Sequence, residues 1–459
     1  MAHKGQAFKN FDRQDFGGCL RQIFNADFWK RQHANQTAFE FKQRRWSLQP
    51  LLYVGLLMAL GPLQAVQDNF TQARAAYCAL YAKRRRCGTT LAGFCKALLR
   101  TPLSFWHAVR RRLQEALMER ELKAARVGRW IGFGLDGTKL DLPRRRALER
   151  HFGVATKAPG GPQLLVVAVV ALGQEILWDW AWSSALGSER SLALELIQGL
   201  PERAIAVFDA GFMGYDWGWK VVRARRHFLV RVGGNVNLWA HGLKVKTKWR
   251  DGEVWLWPEQ KSKQPPLILR LIKLQRRVRK SKGDRRQFKT ETLWLATDVL
   301  DPKELTEAEA CELYQRRWPA NECNFRSWKT TLDVRKLKSR TPRAVERECE
   351  LSLSALMLLQ VTMTLAQGEA PSLPSVANGV RAWRTAVSQT LAGKRTNGYG
   401  KALRQALRDR YHRRGLKRTR NWARRKNHRP PRAPILLRLG IKRKMLGENR
   451  LKEFGWTAG

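Results

Sequence analysis

The chain has 459 residues, which is long enough for two to four domains with a substantial core. Its 87 Lys and Arg against 38 Asp and Glu give a formal net charge of +49. Such an excess repels itself unless an anion is bound, and nucleic acid is favoured because Lys and Arg neutralise its phosphates. An anionic membrane surface is disfavoured because the basic residues are spread along the whole chain. The 19 tryptophans exclude a disordered polycation.

The cysteines and the apolar runs indicate in which cellular compartment the protein is found. Seven scattered cysteines without a C-x-x-C pair indicate neither a zinc site nor a disulfide framework and fit a reducing compartment. The first residues are too polar for a secretory signal. The longest apolar run, at 51–66, contains Pro62 and is too short to span a bilayer, so we predict a buried helix there.

Residues 1–127 are predicted to form a helical DNA-binding domain. TTLAGFCKALLR (89–100) and the segment 104–125 indicate two helices around a break at Thr101-Pro102. One interpretation is a helix-turn-helix that places Arg110, Arg111 and Arg112 near DNA. The other is an ordinary helical pair with a solvated basic face.

The hydrophobic period changes from 128 onward. The sequence predicts three strands, a helix, a strand, a helix and a strand, which is the α/β pattern of a mixed sheet. The predicted elements are strands 130–136, 163–172 and 175–183, helix 187–200, strand 204–209, a helix near 215–226 and strand 227–234.

Residues 235–300 are predicted to be an inserted antiparallel β-subdomain. In LKVKTKW (243–249) apolar residues and threonine alternate with lysines, which indicates a half-buried strand with a cationic outer face. EVWLW (253–257), PLILRLIKLQ (266–275) and TETLWLAT (290–297) follow as strands, with a basic loop at 276–286.

The remainder is predicted to be helical. A helix begins at 305, Pro319 is expected to kink or end it, and the pattern resumes at 321–332. Residues 345–366 indicate a buried helix. We predict a helical and basic C-terminal region (346–459) for DNA binding and dimerisation. Between 394 and 432, sixteen Lys and Arg face one acid, which indicates either an arm on phosphates or a solvated tail.

Two apolar runs each end in an aspartate. IGFGL (131–135) precedes Asp136, and AIAVF (204–208) precedes Asp209. Loops at strand ends often carry catalytic groups, so we predict two acids side by side at a sheet edge, with Gly137 and Thr138 turning the chain. Each aspartate alone is more often a helix cap or turn former than a catalytic group.

With Glu322 from a later helix, the two aspartates provide carboxylates for two Mg²⁺ ions. Such a pair activates a water or 3′-hydroxyl and stabilises the leaving oxygen at phosphorus. Other acids remain as alternatives: Asp141, Glu175, Asp179 and Asp216.

Three motifs resemble those of DDE transposases, most closely the fourth insertion-sequence family. They are DGTKLDLP (136–143), FDAGFMGYD (208–216) and YQRRWPANECNFRSWK (314–329). The resemblance implies an RNase H-like catalytic domain at 128–345, with the β-rich insertion at about 235–300 placed before the glutamate helix. It implies Asp136, Asp209 and Glu322 as the catalytic triad that holds two Mg²⁺ ions, or Mn²⁺. The residues implied to bind DNA phosphates are Tyr314, Arg317, Arg326 and Lys329.

The last motif departs from the family pattern Y-x2-R-x3-E-x6-K. Arg317 and Glu322 are one residue too far apart, and Asn321 occupies the strict glutamate position. Glu322 keeps the E-x6-K spacing to Lys329, so we expect a kink or π-bulge near Pro319 to absorb the extra residue.

In relatives of this kind an aromatic residue of the insertion stacks on a flipped base. The candidates are Trp239, Trp249, Trp255, Trp257 and Trp294. A tryptophan on an alternating strand is more often a core residue.

The resemblance implies a cut-and-paste transposase. Its partners would be double-stranded DNA, at terminal inverted repeats and at the target, and a second copy of the chain, with no membrane. Its place would be the bacterial cytoplasm, on the nucleoid. The alternatives are a catalytically inactive, co-opted DNA-binding protein of the same fold and a basic RNA-associated structural protein, which needs no acids at strand ends.

Overall fold

The computed structural model describes most of the chain. The described residues are 8, 10–35, 45–62, 65–82, 87–117, 126–154, 160–241, 249–279, 288–367, 373–407 and 432–455. The chain folds into two compact units, each built from three segments. Unit 1 comprises Met1–Ala125, Gly137–Glu189 and Ala320–Asp409, and unit 2 comprises Arg126–Asp136, Arg190–Pro319 and Arg410–Gly459. The domain boundaries expected from the sequence stay a prediction.

Unit 1 is mainly helical. Its helices are α1 (Phe16–Ile23), α2 (Ala26–Asn35), α3 (Leu48–Ala59), α4 (Val66–Leu80), α5 (Leu91–Arg100), α6 (Leu103–Leu117), α7 (Arg146–Phe152), α11 (Pro342–Gln367), α12 (Val376–Leu391) and α13 (Tyr399–Gln405). The long α11 packs against α3, α6 and α12. This helix is long and apolar enough to cross a membrane, but 94% of its apolar 18-residue segment is buried inside the protein. The predicted buried helix at 345–366 is confirmed, and the predicted helix at 51–66 is confirmed as the buried α3 only as far as Ala59.

The helix-turn-helix interpretation is wrong for two of its three arginines. The Arg110 guanidinium is buried, donates to Asp179 and lies 3.1 Å from a carboxylate oxygen of Glu350. Arg112 donates to the main-chain carbonyl of Ile23 at 2.6 Å. Both cations satisfy groups inside unit 1, because a buried charge has to be paired or hydrogen-bonded.

Two antiparallel strands complete unit 1. β2 (Gln163–Ala171) and β3 (Ile176–Ser184) pair from Leu164 opposite Ser184 to Ala171 opposite Ile176. Every β2 residue after Gln163 is buried, which explains its continuous apolar run. Both predicted strands are confirmed.

Unit 2 contains a mixed sheet. Its strands are β1 (Ile131–Asp141), β4 (Ala204–Phe208), β5 (His227–Arg231), β6 (Asn237–Ala240), β7 (Asp251–Leu256), β8 (Leu267–Arg279), β9 (Phe288–Thr297) and β10 (Ile435–Arg438). Their order is β10-β6-β7-β8-β9-β5-β4-β1. The parallel trio β1-β4-β5 and the antiparallel β6–β9 insertion confirm the predicted RNase H-like mixed α/β fold.

The predicted turn at Gly137 and Thr138 is wrong, because β1 continues to Asp141. Main-chain hydrogen bonds extend the ladder: Leu337 N–H donates to Asp141 O at 3.1 Å, and Leu142 N–H donates to Pro162 O at 3.0 Å. Backbone pairing on both sides outweighs the local tendency of a Gly-Thr pair to turn.

The described residues also form four helices that have not yet been named. They are α8 (Glu189–Gln198), α9 (Tyr215–Arg223), α10 (Glu307–Arg326) and α14 (Ile441–Glu453). Pro319 lies inside α10 and does not end it, and a π-helical segment, Ser327–Thr331, follows. The basic segment 408–431 and residues 242–248 of the predicted lysine-faced strand lie outside the described residues.

Candidate active site

Asp136 and Asp209 stand at the same level on neighbouring parallel strands of unit 2. The register pairs Gly134 of β1 with Val207 of β4. Asp136 lies two residues beyond Gly134 on β1, and Asp209 directly follows the last residue of β4, so an extension of this register by two residues sets Asp136 level with Asp209. Adjacent strands lie about 4.8 Å apart and partners point to the same face, so the two carboxylates share one edge. The structure thus brings together the first two predicted acids.

Local hydrogen bonds fix the loop that carries Asp209. Its carboxylate accepts from Gly211 N–H at 2.9 Å and starts the short 3₁₀ turn Ala210–Phe212. The Arg190 side chain donates to Gly211 O at 2.7 Å and to Met213 O at 3.1 Å. The loop is therefore held by main-chain contacts, and the second Asp209 carboxylate oxygen is left to other ligands.

Arg317 of α10 is the cation beside the first aspartate. Its guanidinium lies 3.6 Å from an Asp136 carboxylate oxygen, and its side chain is only 7% exposed. The guanidinium also packs on the Tyr314 ring at 5.6 Å from the centroid. Arg317 and Tyr314 are thus placed in unit 2 with Asp136.

Glu322 lies on the part of α10 that belongs to unit 1. Its exposed carboxylate sits 3.7 Å from Arg326, whose side chain is also exposed. The preceding residue, Asn321, is 1% exposed. The helix is regular through both residues, so Asn321 follows Arg317 by one turn on the same face, whereas Glu322 is rotated from it.

No bulge absorbs the extra residue between Arg317 and Glu322. The π-helical segment is Ser327–Thr331, and α10 stays α-helical through Pro319. The expected bulge near Pro319 is therefore wrong. A π-turn adds one residue to a helix turn, so it shifts Lys329 relative to the helix that precedes it.

Lys329 is anchored to β1 two and three residues beyond Asp136. Its ammonium donates to Thr138 Oγ1 and, at 3.0 Å, to Lys139 O. Burial lowers the pKa of Lys329, while Asp141 and Glu322 act in the opposite direction. The contacts belong to unit 1 and hold the π-segment against the strand.

Three of the alternative acids are engaged elsewhere. Asp141 accepts from Gln163 at 2.8 Å, Asp179 pairs with Arg110, and Asp216 lies 3.0 Å from Lys261. These contacts explain the acids as structural groups.

The acid that sequence reasoning missed is Glu189, at the start of α8. A Cβ on Gly137 would come within 2.6 Å of its carboxyl carbon, so the carboxylate rests on the residue that follows Asp136. The available signal was GSER at 187–190, which was interpreted only as a helix start.

The two aspartates fit a magnesium site that the substrate completes. In the described part of the chain, no three His, Cys, Asp or Glu side chains are grouped closely enough to hold a metal ion. Mg²⁺ is usually bound by one or two carboxylates together with waters and substrate phosphates. Asp136 and Asp209 satisfy that requirement.

The insertion tryptophans divide into core and surface residues. Trp255, Trp257 and Trp294 are buried, which confirms the core interpretation for them. The Trp239 ring lies 3.7 Å below the Arg443 guanidinium, and Trp249 Nε1–H donates to Leu271 O at 3.0 Å. A cavity of about 550 Å³ in unit 2 is lined by Trp239, Trp257, Tyr215, Asn235 and Asn237, among others.

Comparisons with known proteins give one family match and one similar solved structure. Residues 135–358 match the family model of the transposase DDE domain. A solved structure titled "Cryo-EM structure of piggyBac transposase synaptic complex with hairpin DNA" is similar at 9% identity and a TM-score of 0.41, covering 87% of this chain and 86% of that one. No curated protein matches.

Proposed function

We propose that this chain, whose residues 135–358 match the family model of the transposase DDE domain, performs metal-dependent cut-and-paste transposition. It would bind the terminal inverted repeats, hydrolyse the DNA backbone and join the freed 3′-hydroxyl to target DNA. The observation that carries the proposal is the level placement of Asp136 and Asp209 on adjacent parallel strands.

The proposed metal ligands are Asp136, Asp209 and, from the third motif, Glu322. Mg²⁺ ions, or Mn²⁺, would supply Lewis acidity at the scissile phosphate and an activated oxygen nucleophile. Phosphoryl transfer needs charge neutralisation and positioning more than covalent catalysis by the protein. The two aspartates would therefore bind the metal ions that neutralise and position the reacting phosphate.

The basic residues of the third motif would position the DNA strand. Arg317 is held against Asp136 and Tyr314, so its guanidinium has a defined direction toward a phosphate. Arg326 is exposed, and Lys329 is fixed on β1. We propose that four residues contact DNA phosphates: Tyr314, Arg317, Arg326 and Lys329. We also propose that two protomers together pair the two ends of the element and that the protein acts at the bacterial nucleoid.

A second candidate is a co-opted DNA-binding protein without catalysis. Asn321 in the strict glutamate position, together with the exposure of Glu322 beside Arg326, favours it. Such a protein would keep the basic surface and lose the third acid.

Nicking of supercoiled plasmid that carries the gene with its flanking DNA tests the proposal. With Mg²⁺ we expect nicking by the wild type and a loss on the order of 10²–10³-fold in Asp136→Asn, Asp209→Asn and Glu322→Gln, since each removes several kcal/mol of charge stabilisation. DNA affinity, measured by fluorescence anisotropy, should stay within about twofold, because these changes remove no cation.

Asp216→Asn is the matched control, since this acid is exposed and paired with Lys261. It should nick as the wild type does. A wild type that binds DNA but nicks in neither Mg²⁺ nor Mn²⁺ would establish the binding protein instead. Full activity of Glu322→Gln alone would remove Glu322 from the triad.

A further inference from the structure

Two cysteines of unit 1 lie beside each other at the end of α4. Cys78 belongs to the last turn of α4, and Cys87 follows the connection that leads toward α5. The Cys87 thiol donates a hydrogen bond to the Cys78 sulfur. Cys78 is half-buried, and Cys87 is buried. The two sulfur atoms are therefore neighbours, and the proposed DNA chemistry makes no use of them.

A main-chain contact fixes this arrangement independently. Arg74 Nε–H donates to the main-chain oxygen of Gly88 at 2.7 Å, and Gly88 directly follows Cys87. Arg74 precedes Cys78 by four residues, so both side chains lie on one face of α4. A Cβ on Gly88 would lie 2.3 Å from Trp46 Nε1, so the backbone here is packed closely against a buried ring. The face of α4 that carries Cys78 is therefore the face against which Cys87 is held.

The surroundings give the two thiols different roles. Burial raises the pKa of Cys87 to about 12, the Cys78 sulfur raises it as well, and the Arg74 guanidinium lowers it. Cys87 is thus a protonated thiol at neutral pH. Cys78 is the more exposed of the two, so a dissolved oxidant reaches Cys78 first. A disulfide that forms in a reducing compartment is usually transient and redox-sensing.

We propose that Cys78 and Cys87 form a reversible disulfide when the protein meets a hydroperoxide. The hydroperoxide oxidises the Cys78 thiol to a sulfenic acid and is itself reduced to an alcohol or, from hydrogen peroxide, to water. The Cys87 sulfur then attacks the sulfenic sulfur, and the hydroxyl group leaves as water with the Cys87 proton. A dithiol reductant restores both thiols by exchange.

The disulfide would tie the end of α4 to the segment that leads to α5. It would close a short covalent loop through residues 78–87, and such a cross-link removes conformational freedom from the unfolded chain. Oxidation should therefore raise the thermal midpoint of unit 1 by roughly 5 °C, and dithiothreitol should reverse the rise.

Peptide mapping of the full-length wild type tests the proposal. The reduced protein is treated with hydrogen peroxide, unfolded in N-ethylmaleimide and digested with trypsin, which cuts after Lys83 and so separates the two cysteines. We expect a linked pair of peptides that joins Cys78 to the peptide 87–96 with the loss of two hydrogen atoms, and its disappearance after dithiothreitol. That second peptide also contains Cys95, an exposed thiol of α5.

Cys95→Ala is therefore the matched control. It should keep both the link and the rise in thermal midpoint, because the bond ends at Cys87. Cys78→Ala should leave Cys87 open to alkylation, and Cys87→Ala should accumulate a sulfenic acid at Cys78 that dimedone traps. Circular dichroism checks that each variant folds, and mapping of the wild type needs no substitution.

Two results would overturn the proposal. One is a wild type in which peroxide leaves both thiols as open to alkylation as before. The other is a Cys95→Ala protein that forms no link, which would place the bond at Cys95. Neither measurement involves DNA or metal, so a protein that forms the disulfide but never nicks DNA would reject the proposed catalytic function and leave the redox site standing.

Discussion

At the scale of single residues, some cations of this basic chain form buried ion pairs inside the protein. Arg110 is enclosed by Asp179, Glu350 and the Trp180 ring, which lies 3.9 Å from its guanidinium carbon. Glu350 also accepts from the indole N–H groups of Trp180, at 3.1 Å, and Trp182, at 3.0 Å. Desolvation opposes the charge of Arg110, but Glu350 and Asp179 together raise its pKa above the ordinary value. A buried pair of this kind is costly to break from one side.

We therefore predict that Glu350→Gln destabilises unit 1. The change keeps the shape but leaves Arg110 with a single acid, and breaking a buried pair costs about 3–5 kcal/mol. Thermal unfolding followed by circular dichroism should show a lower midpoint. The control is Glu304→Gln, which breaks the exposed pair with Arg129 at 2.7 Å and should cost about 1 kcal/mol or less. Equal midpoints for the two variants would contradict a structural role for Glu350.

At the scale of elements, the period of the hydrophobic residues predicts the strands and helices well. The errors occur where backbone pairing between residues far apart in the sequence determines the structure. The runs that form β2 and α11 are recognisable because burial on all sides needs continuous apolar sequence. The extension of β1 past Gly137 depends on bonds to residues 162 and 337, which local sequence cannot reveal. The π-segment at Ser327–Thr331 was equally hidden, because Pro319 gave a stronger local signal for a break.

The site shows the same division. The placement of Asp136 and Asp209 side by side can be predicted, because each follows an apolar strand pattern. The contact of Glu189 with Gly137 depends on packing, so a composition-based interpretation passes over it.

The C-terminal segment is an element whose docking in unit 2 can be tested. β10 pairs in parallel with β6, and α14 places Arg443 over Trp239 and Gly447 against Trp255. A Cβ on Gly447 would lie 2.3 Å from the Trp255 ring, whereas a Cβ on Gly440 would meet nothing within 4 Å. The close approach is therefore specific to Gly447.

Gly447→Ala should loosen α14, because the methyl group cannot fit without moving the indole or the helix. Hydrogen–deuterium exchange of amides in α14 and β10 should accelerate. Gly440→Ala makes the same chemical change at an open site, the N-cap of α14, and should leave exchange in β10 and beyond the first turn of α14 equal to that of the wild type. Faster exchange in both variants, or in neither, would show that the Trp255 contact does not hold the segment.

At the scale of the whole molecule, the charge and the acids require one another. Under the proposed function, a net charge of +49 would draw DNA, but phosphates approaching Asp136 and Asp209 would meet two like charges. A divalent cation removes that repulsion, and the phosphate in turn supplies the oxygens that two aspartates lack for a full coordination shell. Metal and DNA should therefore strengthen each other's binding, and linkage makes the two effects equal.

This reciprocity predicts that Mg²⁺ binds the protein–DNA complex on the order of 10-fold more tightly than the free protein, within the usual range of coupling between sites. Calorimetric titration of Mg²⁺ into the protein alone, a short duplex alone and their complex measures it. The double variant Asp136→Asn, Asp209→Asn should lose the added affinity while still binding the duplex, because it keeps every Lys and Arg. Equal Mg²⁺ affinity with and without DNA would mean that the protein forms its metal site unaided. Retention of the added affinity by the double variant would place the metal on groups other than this pair.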